Sequence, residues 1–455
     1  MIRVTLAAIA AAFIAIAFGA FRAPSEPGVF MRDFEAYYSA GRAFDAGADA
    51  YSPQLLTFER AVPGVDAHRQ ELLPFIGAPP TLPFWGLLAR FDYVTSARIW
   101  MVCLSASLAL LLACTAGLCG VRALSLDGAI LVLCALAFVP VTSDFVLGQP
   151  ALVAYAAAAV AVFASARSVP VTALAAVVGS LQPNVALASV VAAGRRRGLA
   201  AFLLAAGGLY AIGAIAAGWA WPVAYFSALR AHGAAERFDV IQYAVPAISF
   251  GFGASQGQAA AVAAVIALAV LAVAVVAIFR TRDTMQRFVI ACAALPLLTG
   301  FVHEHDLVLL FIPALWAMRT ADARRAPLAV LAFGFAAVNS MDFAQQPGAA
   351  WQDLVLCAGA LAAVLAWSPQ QTPRHYAAAG CALAVAAACA WIGTHHPAPI
   401  WPNDMSAFHI SPGASSADMW RAEQLHTGLI RKEPAWALLR SIPLAGSIVL
   451  LLISA

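Results

Sequence analysis

The sequence predicts an all-α protein that crosses a membrane many times, and three observations carry that reading. Hydrophobic residues make up 63% of the 455 and charged residues only 11%, against roughly a quarter charged in soluble domains. Apolar runs of near-spanning length recur from one end of the chain to the other. Between them, arginine gathers in short connections, while acidic and aromatic residues gather in three long ones. A soluble domain of this size could not bury so much apolar surface, so lipid is the solvent for most of the chain.

The runs fall at about 4–20, 79–90, 99–119, 128–145, 150–165, 169–193, 198–217, 257–279, 288–302, 306–318, 326–340, 352–368, 376–393 and 441–455. They predict one membrane domain, 1–455, of about twelve to fourteen spanning or half-spanning helices. Several runs are shorter than the ~20 residues a straight crossing needs, so some are half-helices or broken spans held inside the protein. The first run ends near Phe18-Gly19-Ala20 and has the look of a signal peptide. It is read as a retained first span, because the rest of the chain is membrane-embedded in any case.

The short connections carry Arg90 and Arg98, Arg195 to Arg197, Arg280, Arg282 and Arg287, Arg319, Arg324 and Arg325, and Arg374. The positive-inside rule assigns them to the cytoplasmic side and the long segments 22–78, 218–256 and 394–440 to the outer side. Segment 22–78 holds five arginines against eight acidic residues, the balance of an exported loop. Tyr37, Tyr38, Tyr51, Trp219, Trp221, Tyr225, Trp401 and Trp420 lie in the long segments, and such residues sit well at headgroup level. Lys432 is the only lysine; arginine in place of lysine, with much alanine, fits a GC-rich bacterial gene and an inner-membrane location.

Several function classes drop out. The eight cysteines lie within or beside apolar runs, with no CxxC and no Cys/His metal spacing, and read as small packing residues. No basic block with interleaved aromatics points to nucleic acid. There is no GxxxxGK[ST] or GxGxxG, and Asp45 and Asp49 do not make a DxD. An enzyme of this kind would draw its activated substrate from the bilayer, carried on a lipid.

Three places hold chemistry. Arg32-Asp33-Phe34-Glu35-Ala36-Tyr37-Tyr38 follows the first span, and apolar residues at 34, 37, 38, 41 and 44 predict a short amphipathic helix lying in the interface. Asp33 at its start is either a helix cap or a catalytic carboxylate. His303, Glu304, His305 and Asp306 stand together between two short apolar runs. Such a group is either a solvated turn at the interface or lines a wet cavity; no third ligand joins the two histidines, and no metal is assigned. Gly148-Gln149-Pro150 and Ser180-Leu181-Gln182-Pro183-Asn184 interrupt apolar sequence, either as plain kinks or as cavity walls.

In order and spacing, these segments resemble glycosyltransferase family 87, the polyprenyl-phosphate-mannose-dependent mannosyltransferases and their bacterial relatives. Asp33-Phe34, Tyr37-Tyr38-Ser39-Ala40-Gly41-Arg42-Ala43, Ala46-Gly47 and Tyr51 are similar to its first-loop signature. Phe75-Ile76-Gly77-Ala78-Pro79-Pro80 with Trp100 resembles its Tyr-Pro-Pro segment and later tryptophan, and Gly148-Gln149 its Gly-Gln or Gly-Asn site. Gln182-Pro183 stands where Lys-Pro is usual, and His305-Asp306-Leu307 where Tyr-Asp-Leu is common. Replacing that lysine removes a cation that could face a donor phosphate, so either arginine elsewhere supplies it or the donor differs.

The resemblance implies a GT-C-like bundle that moves a hexose, mannose first, from polyprenyl phosphate to a glycolipid or glycan acceptor on the outer face. The transfer would be inverting, in one displacement, with no cofactor beyond the lipid-linked donor and no metal. Asp33 matches the position of the general base. His303 and His305 would contact donor phosphate or acceptor, with Glu304 and Asp306 orienting them or binding sugar hydroxyls. Tyr37, Gln149 and Gln182 are assigned to the substrate site, and Arg32 and Arg42 to the leaving phosphate. A transporter or flippase for an envelope lipid or glycan precursor would suit the broken helices equally, and a non-catalytic envelope scaffold is a further alternative. The lack of a hydropathy repeat and the long acidic segment after the first span favour the enzyme. An O-antigen ligase, or a transferase of another sugar, is the nearest rival.

Overall fold

A computed structural model describes residues 1–19, 31–338, 350–397 and 413–455. Ala20 at the end of the first run, the start of the first long segment and Trp401 in the third lie outside the described residues. In chain order the main helices are α1 (Ile2–Gly19), α2 (Phe34–Asp45), α3 (Leu82–Ala89), α4 (Tyr93–Leu118), α5 (Leu126–Leu136) and α6 (Val139–Leu147). There follow α7 (Ala151–Ala164), α8 (Val169–Gly179), α9 (Arg196–Ala217), α10 (Trp221–Glu236), α11 (Gln256–Arg280) and α12 (Thr284–Leu298). The last are α13 (Phe311–Thr320), α14 (Ala326–Ala337), α15 (Ala350–Trp367), α16 (Pro373–His395), α17 (Ser416–His426) and α18 (Pro434–Ser454).

No strand occurs among the described residues. Seven helices there, α1, α4, α9, α11, α15, α16 and α18, are long and apolar enough to cross a membrane, and α5 with α6 makes an eighth candidate bent by 59°. Shorter apolar helices, α7, α8, α12, α14 and the segment Pro183–Gly194, complete the bundle. The protein is an all-α polytopic membrane protein, with long and half-length helices together in the expected number. Runs 79–90 and 306–318 are not spans: they form the short α3 and, after a 3-10 turn at His305–Leu310, the short buried α13.

Sequence punctuation sets the helix ends. Asp92 caps α4 by accepting from Thr95 N at 3.0 Å, and Ser255 with Gln258 forms a reciprocal box at the start of α11. The α5–α6 bend lies just before Pro140, which has no N–H to continue the ladder. Nearly every residue of the alanine-rich α7 is buried; small side chains let neighbours approach on all sides. At Gly359 of α15 an added Cβ would stand 3.2 Å from Ile14 and 3.3 Å from Phe13, so glycine admits α1 at close range.

The two ends of the bundle differ. At one, Asp127 at the start of α5 pairs with Arg3 and, at 3.0 Å, with Arg319, while Arg195 donates to Thr284 at 2.9 Å. At the far end of the bent pair the three long segments converge. Ala36 and Leu73 of the first, Ala235 of the second and Trp420 of the third share one small buried cluster.

Helix α2 forms where predicted, but it is sunk in the protein rather than laid on an interface. Nine of its 12 residues are buried. Phe34 stacks on Trp100 at 6.1 Å and packs against Trp85 and Tyr93. Gly41 lies where a Cβ would overlap the Trp85 carbonyl. The polar face is removed from water as well, because Glu35 and Glu59, both fully buried, share Arg69. Burial pushes the Glu59 carboxyl up to about 8 and Glu423 of α17, nearby, up to about 9, since one guanidinium cannot balance every carboxylate around it.

Candidate active site

The Asp33 backbone N–H donates to the Leu147 carbonyl at 3.0 Å, tying the start of α2 to the end of α6. Asp33 holds the N-cap position, yet its backbone is helical and its side chain makes no capping bond. The carboxylate instead accepts from Gln149 Nε2 at 2.7 Å, while Gln149 Oε1 accepts from the Tyr37 hydroxyl at 3.0 Å. Gly148 makes this possible. Its φ is +76°, and a Cβ there would sit 2.8 Å from Phe34 Cβ and 2.9 Å from Met31 Cβ, so the turn needs glycine twice over. The Trp100 indole N–H donates to the Gly148 carbonyl at 2.8 Å and fixes the turn from behind.

Asp306 organises the opposite wall. Its Oδ2 accepts from the His303 backbone N–H at 3.0 Å, and its Oδ1 accepts from Gln182 Nε2 and Asn184 Nδ2, each at 3.1 Å. The broken segment at Pro183 and the His-Glu-His-Asp turn are thereby joined through one carboxylate. The His303 and His305 rings stack with centroids 5.4 Å apart and planes 13° from parallel.

Residues that sequence reasoning passed over complete the chamber. Glu236, at the end of α10, is 2.8 Å from His232 Nε2 and 3.3 Å from His303 Nε2. It also accepts from Gln242 and from the Trp420 indole N–H. Burial opposes charge on Glu236, but His232 and His303 outweigh it and hold the carboxyl far below its ordinary range. Burial would likewise lower His303; the hydrogen bond and charge of Glu236 reverse that and raise it. His305, with no such partner charge dominating, is lowered by burial. The available signal was the i, i+4 pair His232 and Glu236, meaningful only once that stretch is known to be helical.

These groups face a cavity of about 250 Å³. Of the predicted site residues, Asp33, Tyr37, Gln149, Gln182, His303, Glu304 and His305 line it, joined by His232, Glu236 and Trp420. Asp306 stands behind His303 rather than on the wall. Arg32 pairs with Glu71 and Arg42 is exposed in the last turn of α2; neither lines the cavity. Among the described residues no arginine or lysine lines it, and no three His, Cys, Asp or Glu side chains converge as metal ligands. The chamber thus offers three carboxylate side chains, Asp33, Glu236 and Glu304, several imidazole and amide groups, and aromatic faces from Tyr37, Phe75 and Trp420.

A family model, glycosyltransferase family 87, matches residues 75–302, half of the chain. The match takes in Gln149, Gln182, His232 and Glu236, begins after Asp33 and stops just short of His303. No curated protein and no solved structure matches. With half its length under that family model and a polar chamber set in a bundle of apolar helices, the chain belongs to glycosyltransferase family 87 and is a membrane glycosyltransferase.

Proposed function

We propose that the protein moves a hexose, mannose in the first instance, from a polyprenyl-phosphate carrier to a glycolipid or glycan acceptor on the outer face of a bacterial inner membrane. The observation that carries this reading is Asp33: it sits on the wall of the chamber, held by a neutral amide, and caps no helix. In a single inverting displacement the acceptor hydroxyl oxygen attacks the anomeric carbon and Asp33 takes its proton. The bond from that carbon to the phosphate oxygen breaks, and the electron pair leaves with polyprenyl phosphate.

His303 and His305 line the chamber as hydrogen-bond donors for that phosphate. A wall without arginine or lysine suits one phosphodiester charge better than a diphosphate, which favours a monophosphate carrier. At about 10–15 Å³ for each water, the chamber holds roughly twenty waters, room for one sugar and its phosphate. The outer-face assignment is supported by the connections bearing Arg195 and Arg319, which lie at the end away from the chamber. The connection from Arg90 to Arg98, expected on the cytoplasmic side, instead lies at the chamber end, where Arg90 faces Asp45 of α2 at 3.9 Å and Tyr93 donates to the Met31 carbonyl.

The test is transfer by the purified protein in lipid nanodiscs, given radiolabelled polyprenyl-phosphate mannose, glucose or arabinose and a lipid extract as acceptor. The expected result is label moved from the mannose carrier into a product of inverted anomeric configuration. No transfer and no binding with any carrier would overturn the proposal and favour transport.

A further inference from the structure

A second cavity, of about 100 Å³, adjoins the chamber and shares Pro74, Phe75, Ile76 and His232 with it. At about 10–15 Å³ for each water it has room for roughly eight, the space of one pyranose ring. Its remaining walls come from Tyr51, from α10 and from the start of α17, so all three long segments build it. The rings of Tyr51 and Phe75 lie 5.4 Å apart, and those of Tyr51 and Tyr225 6.3 Å apart. They give the cavity an aromatic floor.

The polar groups on this wall point to the chemistry of its occupant. Four hydroxyls line it, and each is already committed as a donor. Tyr51 donates to the Gly77 carbonyl at 2.6 Å and Tyr225 to the Ile76 carbonyl at 3.1 Å. Ser416 donates to the Tyr51 carbonyl and Ser415 to Asp418 Oδ2, both at 2.7 Å. Ser415 Oγ also accepts from the Asp418 backbone N–H at 3.2 Å, but each oxygen keeps at least one lone pair, so the wall presents acceptors. His232 turns Nε2 to Glu236, and no arginine or lysine lines the cavity among the described residues. An anion would find no arginine or lysine there, and the one imidazole is turned to Glu236. Sugar hydroxyls, which donate, and the apolar face of a sugar ring, which packs on aromatic carbon, both find partners.

We propose that this second cavity is a subsite for an uncharged glycosyl ring of the acceptor, seated on Tyr51 and Tyr225 with Phe75 between it and the donor chamber. The inference rests on the glycosyltransfer reading above, but its test does not need transfer to occur. Saturation-transfer NMR on the full-length protein in nanodiscs, without donor, would measure binding of butyl α-mannoside and of its charged counterpart, butyl α-mannuronide. Ala417 is on the wall, so Ala417→Trp fills the cavity without removing any of the four hydroxyl bonds. The expected result is butyl mannoside binding at least tenfold tighter than butyl mannuronide. Ala417→Trp and Tyr225→Ala should each weaken it tenfold or more. Equal binding of the two glycosides, or mannoside binding untouched by Ala417→Trp, would overturn the subsite. Failed transfer with this binding pattern intact would count against the donor assignment alone.

Discussion

Gln149 holds Asp33 with a 2.7 Å hydrogen bond, joining residues 116 apart in sequence, and its other end takes the Tyr37 hydroxyl. One amide therefore sets the direction of the carboxylate and of an aromatic wall of the chamber. Gln149→Leu removes both bonds and leaves two polar groups without that partner at the chamber wall. Each loss costs about 1–3 kcal/mol. We expect lower thermal stability and, because a small misplacement of a catalytic group is expensive, a turnover loss on the order of 10²-fold at saturating donor. Gln149→Glu, which cannot donate to Asp33, should lose as much turnover.

Gly148 and Gly47 separate backbone strain from crowding. Their φ values are +76° and +70°, but a Cβ on Gly47 meets nothing within 4 Å, whereas one on Gly148 meets Phe34 and Met31. Alanine at either position carries about 1–2 kcal/mol for the left-handed conformation. Thermal unfolding should show a clearly larger loss for Gly148→Ala, accompanied by a fall in transfer that Gly47→Ala does not show.

Stability should fall as pH rises from about 5 to 9. Glu59 and Glu423, held up to about 8 and 9 by burial, keep a proton when folded and lose it when unfolded above their ordinary 4.5. His303, raised by Glu236, acts in the same direction above its ordinary 6.5. In these windows the folded state binds more protons, so each group costs up to about 1.4 kcal/mol per pH unit. His305, lowered by burial, opposes them just below 6.5. Glu59→Gln and Glu423→Gln together should flatten the fall between pH 6 and 9, read as unfolding temperature against pH.

What the sequence made legible was local. The 3.6-residue pattern at 34–44 marked α2, and glycine and proline marked the Gly148-Gln149 and Gln182-Pro183 breaks, all of which reach the chamber wall. Burial was not legible: Glu35 reads as a solvent-facing residue of an amphipathic helix, yet Arg69, 34 positions away, holds it inside. Nor was convergence. His232 and Glu236 come from the second long segment and Trp420 from the third, and they meet only in the fold. Arg32 and Arg42 adjoin Asp33 in sequence but not on the wall, because Arg32 turns to Glu71 and Arg42 projects outward near the end of α2.

The most direct measurement is single-turnover transfer by Asp33→Asn at saturating donor and acceptor, with unfolding temperature measured in parallel. An asparagine oxygen still accepts from Gln149 Nε2, and no helix cap is lost, so the fold should be unchanged. The proposed general base would be gone. We predict a rate lower by about 10²–10⁴-fold at unchanged stability. Transfer at the wild-type rate would contradict the assignment of Asp33 as the base.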